Sequence, residues 1–212
     1  MNLVQPEMRT PANPDIPCKG DALLLHGIFN KGDVFRPMTQ ALSTAGWNVY
    51  TPSMSPPYGT FSMDELAAQI SAYMEQNNIG QSSDRPWILA GFSMGGIVCR
   101  ALLQNHGVPH WPKTFVTFGS PHHGSLLTYF YPGKGSRDMR PTSRFLKQLK
   151  ASEDRLPDSL PIYSLWTPLD LMIIPSTNSI WKKAQCEIHW APLHPWLLIS
   201  KTVIRRIVEI AG

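Results

Sequence analysis

Six short apolar runs, separated by segments with helical spacing, constrain this chain more than any other feature. They span residues 21–26 (DALLLH), 47–51, 86–92, 114–119 (TFVTFG), 161–167 (PIYSLWT) and 184–190. The runs are continuously apolar rather than alternating, as expected of strands buried on both faces. Between them, residues 33–45 carry Val34, Met38, Ala41, Leu42 and Ala45 at helical spacing and stop at Gly46, a plausible C-terminal cap. Ser62 and Glu65 form a capping box ahead of a helix with Leu66, Ile70, Tyr73 and Met74 on its apolar face. Further helices are expected over 94–105, near 143–150, and from about 195 to 210. Strands alternating with helices predict an α/β domain, with a mainly parallel sheet of about six strands and helices on both faces. Residues 1–20, with Pro6, Pro11, Pro14 and Pro17, read as an extended arm ahead of a single domain over 21–212. Residues 120–160 form a loop and short-helix insertion within that domain.

Composition narrows the class further. With 212 residues, 42% of them hydrophobic and only 16% charged, the chain can bury a sizeable core. That balance excludes a disordered polymer. The 20 prolines are scattered and imply rigid loops rather than low complexity. The net charge of +4 sits in 134–155, where Lys134, Arg137, Arg140, Arg144, Lys147, Lys150 and Arg155 face only Asp138, Glu153 and Asp154. The rest of the chain is neutral, and no nucleic-acid motif accompanies the patch, so no nucleic-acid partner is expected. The patch reads first as a solvated helix face. The alternative is that Arg137, Arg140, Arg144 and Lys147 attract anionic substrates or an anionic lipid surface.

Cys18, Cys99 and Cys186 are widely spaced and odd in number, which fits reduced thiols in the cytoplasm. The N-terminus lacks the basic start and apolar core of a signal peptide. No apolar run approaches the length of a membrane span.

The peptide Gly91-Phe92-Ser93-Met94-Gly95-Gly96 directly follows the expected strand Trp87-Ile88-Leu89-Ala90 and opens an expected helix. A serine in such a tight strand-to-helix turn is held in strained backbone geometry with its hydroxyl clear of the sheet. Gly91 and Gly95 leave room for the neighbouring strand and helix. The helix N-terminus adds free N–H groups and a positive dipole end. An inert glycine-rich turn is the alternative.

In these residues the chain resembles the α/β-hydrolase family, in particular its small bacterial lipases and esterases, over most of 21–210. In that family the first strand ends in His-Gly, as Leu25-His26-Gly27-Ile28 does here. The resemblance implies oxyanion donors at the backbone N–H groups of Ile28 and Met94, with His26 a structural hydrogen-bonding residue. It also implies the chain order Ser, then acid, then His. Asp170 lies just beyond the fifth expected strand, where active-site groups of such sheets gather, and Asp158 is the reserve acid. The stretch Leu193-His194-Pro195-Trp196-Leu197-Leu198 resembles the lipase pattern of a His before the closing helix, although many relatives have Gly where Leu193 stands. His189, inside the sixth expected strand, is the weaker candidate base.

Gly119-Ser120-Pro121-His122-His123-Gly124-Ser125 resembles a stretch shared by many lipases with small lids. The paired histidines are better read as shaping a loop than as metal ligands. Leu126, Tyr129 and Phe130 follow over the active-site edge, and Phe29, Tyr58 and Phe61 are further candidates for contacting substrate. Met54 and Met63 could line the same entrance, or pack in the core.

The expected activity is that of a serine carboxylester hydrolase, a lipase or esterase, acting on lipid-like or other apolar esters. The expectation includes a small or absent lid, and no cofactor or metal. The alternatives are an acyltransferase or thioesterase using the same triad, or a non-catalytic binding protein on the same fold.

Overall fold

The computed structural model describes residues 4–5, 9–54 and 60–212. Along the chain the strands are β1 (Val4–Gln5), β2 (Arg9–Thr10), β3 (Gly20–Leu25), β4 (Trp47–Tyr50), β5 (Ser53–Met54), β6 (Trp87–Phe92), β7 (Thr114–Phe118), β8 (Ile162–Trp166) and β9 (Gln185–Ile188). The helices are α1 (Arg36–Thr44), α2 (Met63–Gln76), α3 (Met94–Ala101), α4 (Lys134–Asp138), α5 (Arg144–Ala151) and α6 (Lys201–Ala211).

The main sheet has seven strands in the order β2-β4-β3-β6-β7-β8-β9. All six expected strands are present and run parallel. The seventh comes from the N-terminal arm, where Arg9 and Thr10 pair antiparallel with Tyr50 and Val49 at one edge. A separate two-stranded ladder joins β1 to β5.

The expectation of strands buried on both faces fails for β9, an edge strand with an exposed or half-buried residue at every position. It holds in the interior, where side-chain alternation in β3 shows why the run is apolar throughout. Leu23 and Leu25 enter the core beneath α2, α3 and α5, while Ala22 and Leu24 enter the core beneath α1 and α6. Each fully buried leucine contributes about 2 kcal/mol relative to exposure. Both helical layers are thereby fastened to the sheet, as in a doubly wound α/β fold.

One helix start matches the sequence expectation, and several other helices differ from it in detail. Ser62 caps α2 through the complete capping box with Glu65. The helix after β6 ends as α3 at Ala101 and continues as a π-turn over Leu102–His106. The expected terminal helix is two pieces, a 3-10 turn His194–Leu198 and then α6, separated at Ile199 and Ser200. The short α4, flanked by Gly133 and containing Gly135, has no hydrophobic period by which it could have been expected. Among the described residues no helix is long and apolar enough to cross a membrane.

The strand order positions the site. From β3 the chain winds through α1 to β4 on one side, then returns through α2 to β6 on the other side of β3. The connections diverge between β3 and β6, so the loops leaving the C-terminal ends of these strands face each other across a crevice. Ligands of open α/β sheets bind at this kind of switch point.

Candidate active site

Ser93 stands between β6 and α3 with φ 53° and ψ −121°. A non-glycine residue rarely adopts this backbone, and the surrounding turn holds it there. The Ser93 N–H donates to the Phe118 carbonyl (2.9 Å), and the Ser93 carbonyl accepts from Gly96 N–H (3.1 Å). The glycines are needed for close approach. A Cβ on Gly95 would lie 2.0 Å from the Leu25 carbonyl oxygen, and one on Gly91 would lie 2.5 Å from Gly96 Cα.

The loop after β3 supplies the opposite wall. His26 is fully buried; its Nε2 accepts from the Met54 N–H at 2.7 Å, and its Nδ1 lies 2.8 Å from the Gly27 carbonyl oxygen. With Nε2 accepting, Nδ1 carries the proton and donates to that carbonyl. The Gly27 carbonyl and the Ile28 N–H share one planar peptide unit. His26 therefore fixes the direction in which Ile28 N–H points. Burial pushes the His26 pKa below its ordinary value, favouring this neutral form. A Cβ on Gly27 would stand 3.0 Å from Ser93 Cβ, so the two loops are in contact. Met94 opens α3, and its N–H belongs to the first turn, which has no intrahelical acceptor.

Asp170 follows β8 and is buried. Its Oδ1 accepts from the N–H groups of Met172 (2.8 Å) and Ile173 (3.0 Å), and its Oδ2 lies 2.6 Å from His194 Nδ1. His194 is also buried, with its ring tilted against Phe92 at a centroid distance of 4.6 Å. Its Nε2 has no hydrogen-bond partner among the described residues. The structure thus joins Asp170 directly to His194 and lays His194 against the residue preceding Ser93, without a Ser93–His194 hydrogen bond. The reserve groups lie elsewhere. Asp158 is exposed and paired with Lys183 at 2.6 Å, and His189, just past β9, is 3.6 Å from Glu187.

Two hollows meet here, and Ile28 and Met172 line both. One is lined by Ser93, Leu127, Thr128, Tyr131 and Met139 and holds about 30 Å³. The other is lined by His194, Phe92, Leu171, Leu193 and Pro195 and holds about 270 Å³. Larger depressions of about 580 and 610 Å³ share no residue with this cluster.

The substrate-contact candidates divide. Leu126, Tyr129 and Phe130 lie on the outer side of the 126–131 strap, with Phe130 82% exposed, and the inner side belongs to Leu127, Thr128 and Tyr131. Phe29 packs edge-on against Tyr131 at 5.3 Å, behind the chamber wall. Phe61, Met54 and Met63 pack with the core. Tyr58 lies outside the described residues.

His122 and His123 do not converge. His122 is buried, stacked on Trp181 at 4.8 Å, with Nε2 3.1 Å from Thr117 Oγ1. Burial, with the nearby Arg100 cation, holds its pKa well below the usual value. Arg100 lies over the same Trp181 ring at 4.3 Å and pairs with Glu153 at 2.8 Å. Among the described residues no group of three or more His, Cys, Asp or Glu is arranged to hold a metal ion.

The sequence profile of the palmitoyl protein thioesterase family matches residues 22–155, more than half of the chain. No curated protein is similar enough in sequence to count as a relative. The mature form of a Bacillus licheniformis lipase superposes with a TM-score of 0.76 at 16% identity, covering 98% of this chain and 96% of that one. A monoacylglycerol lipase from Paleococcus ferrophilus gives 0.71 at 15% identity, covering 96% of both chains. An esterase from Exiguobacterium antarcticum gives 0.66 at 14% identity, covering 92% of this chain and 93% of that one. At these identities the likeness is one of fold.

Proposed function

The chain belongs to the palmitoyl protein thioesterase family of α/β-hydrolase ester hydrolases, and we propose that Ser93, His194 and Asp170 are its catalytic triad. The observation that carries the reading is His194, whose Nδ1 is bonded to Asp170 while Nε2 stays unpaired beside the Ser93 turn. In the proposed first step, Ser93 Oγ bonds to the substrate's carbonyl carbon as its proton passes to His194 Nε2. The N–H groups of Ile28 and Met94 receive the negative charge on the carbonyl oxygen. Loss of one such donor typically costs about 3–4 kcal/mol of transition-state stabilisation. The bond from carbonyl carbon to the leaving oxygen then breaks, and His194 returns its proton to that oxygen. Water next gives a proton to His194 and its oxygen to the acyl carbon. The acid leaves as Ser93 Oγ recovers the proton.

The proposed substrate is an apolar, lipid-like carboxylic ester. A thioester would follow the same steps with sulfur as the leaving atom, and the family to which the chain belongs supports that second reading. Exposed Leu126, Tyr129, Phe130 and Leu171, together with exposed Arg137, Arg144, Lys147 and Lys150 that have no salt-bridge carboxylate among the described residues, support contact with an anionic lipid surface. A cytoplasmic location is part of the proposal, supported by three free cysteines.

Hydrolysis of p-nitrophenyl acetate by the protein, lost in Ser93→Ala with an unchanged circular dichroism spectrum, is the expected result. Equal turnover by the variant would overturn the assignment. Parallel release from acyl-CoA and from a neutral ester separates the two substrate readings.

A further inference from the structure

The stretch Gly119–Ser125, which follows β7, has no part in the steps proposed for Ser93, His194 and Asp170. Its last residue is nevertheless only 1% exposed and lies against the Asp170 loop. The Ser125 hydroxyl oxygen accepts from Ile174 N–H at 3.0 Å and from Leu127 N–H at 3.3 Å, and it lies 2.8 Å from the Met172 carbonyl oxygen. A hydroxyl has two acceptor lone pairs and one proton. With both lone pairs taken, the proton goes to the Met172 carbonyl, so the direction of that bond is fixed. Ser125 also lines the small hollow beside Ser93, but its hydroxyl has no bond left to offer a substrate.

The Met172 carbonyl and the Ile173 N–H belong to one planar peptide unit. That N–H donates to Asp170 Oδ1 at 3.0 Å, next to the Met172 N–H at 2.8 Å. Across the carboxylate, Oδ2 lies 2.6 Å from His194 Nδ1. The Ser125 hydroxyl, the 172–173 peptide, the Asp170 carboxylate and the His194 imidazole therefore stand in series. Hydrogen bonds in such a chain polarise one another. By accepting from Ile174 N–H, the same oxygen also fastens the peptide on the other side of Ile173. One buried hydroxyl thus holds both peptide units of a residue that orients the acid.

Other bonds join the same two loops farther from the carboxylate. Leu126 N–H donates to the Ile174 carbonyl (2.9 Å), and His123 N–H donates to the Asn178 carbonyl (3.1 Å). Asn178 Nδ2 donates to the Gly124 carbonyl at 2.8 Å. Of these bonds between the loops, only those of the Ser125 hydroxyl engage a peptide unit that donates to Asp170.

We propose, on the basis of the triad reading above, that Ser125 is a positioning residue: its hydroxyl sets the Ile173 peptide that aims the Asp170 carboxylate at His194. Without the hydroxyl, Asp170 keeps its charge but loses the fixed donor that sets the plane of its carboxylate. The imidazole is then poorly oriented to take the Ser93 proton. The loss falls on the chemical step rather than on substrate binding.

The test is Ser125→Ala, together with Ser125→Cys, which has nearly the same volume and a thiol that bonds only weakly. Asn178→Ala, which removes a bond between the same loops, is the control, and thermal melts identify the variants that fold. For p-nitrophenyl acetate, kcat is expected to fall about a hundredfold in a folded Ser125 variant, with KM within about threefold of wild type. Asn178→Ala should keep kcat within about threefold. In an Asp170→Ala background, where there is no carboxylate to aim, the same Ser125 substitution should cost less than about tenfold. A folded Ser125 variant that loses less than about tenfold in kcat, or whose loss lies in KM, would overturn the positioning proposal and leave the triad reading standing. So would an equal loss in Asn178→Ala, or a loss of about tenfold or more in the Asp170→Ala background. A wild-type protein that turns over no ester and takes up no fluorophosphonate at Ser93 would overturn the triad reading and this proposal with it.

Discussion

Asp170→Asn is the most informative substitution in the site, because the surrounding hydrogen bonds dictate how the new amide must sit. Oδ1 accepts from the N–H groups of Met172 and Ile173, at 2.8 and 3.0 Å. An amide oxygen can take that place, whereas an NH₂ group would set donors against two donors. The asparagine therefore keeps its oxygen there and turns its NH₂ toward His194 Nδ1, now held at 2.6 Å from Oδ2. Nδ1 must then accept, which moves the imidazole proton to Nε2. In that tautomer His194 cannot take the proton of Ser93. The same change in a serine protease triad lowers kcat about 10⁴-fold, equivalent to about 5.5 kcal/mol on the barrier. The assay is kcat for p-nitrophenyl acetate at neutral pH, with a thermal melt to show that the variant is folded. A folded variant within about tenfold of wild type would refute the assignment of Asp170 as the orienting acid.

Stability should fall on mild acidification. His26 and His122 are held below their ordinary pKa by burial, so below about pH 6.5 the unfolded chain binds protons that the folded chain refuses. The loss begins near pH 6.5 and continues until the folded-state values are reached, with a slope of up to about 1.4 kcal/mol per pH unit for each histidine. Urea melts between pH 7.5 and 5 check this, and a midpoint constant over that range would contradict it. Glu153→Ala leaves the buried Arg100 guanidinium without its 2.8 Å partner and Trp181 Nε1 without its 2.7 Å acceptor. A loss of about 3 kcal/mol is expected from chemical denaturation, and a change within 0.5 kcal/mol, the usual size for a surface substitution, would show that water replaces the pair. Vesicles of phosphatidylserine and phosphatidylcholine should retain the protein in sedimentation, less so with Lys147→Ala and Lys150→Ala together and less so at high salt. Equal retention on neutral vesicles would count against a role for the charges.

The fold was legible where the signal is local and repeated. Five apolar runs marked five strands buried in the sheet. The sixth run, 184–190, forms the exposed edge strand β9, and the Gln185, Glu187 and His189 of that run alternate with apolar residues. The Gly91–Gly96 peptide between a strand and a helix marked the turn that holds Ser93 at φ 53°. Asp170 was distinguishable from Asp158 because only the former follows the end of a strand at the sheet's active edge. By contrast, β2 is two residues long and exists through its pairing with β4, which no local pattern announces. The strap after Ser125 was placed but not its rotation. Its 3-10 turn puts Leu126 and Tyr129 on the same ridge, and hydrogen bonds to Met139, Met172 and Ile174 decide that this ridge faces outward. Leu127, Thr128 and Tyr131, which wall the hollow beside Ser93, include the same residue types as Leu126, Tyr129 and Phe130 on the outer side, so composition could not tell the two sides apart. The Arg100–Trp181–Glu153 cluster joins residues separated by 53 and 28 positions, a juxtaposition that only the folded sheet creates.

Catalysis by the proposed triad requires an activated hydroxyl at Ser93. Incubation of the folded protein with a fluorophosphonate, followed by peptide mass spectrometry, should find a single adduct on Ser93. That adduct should be absent in a folded Ser93→Ala variant and formed much more slowly in Asp170→Asn. A well-folded wild-type protein that takes up no label, or takes it up at another residue, would contradict the account.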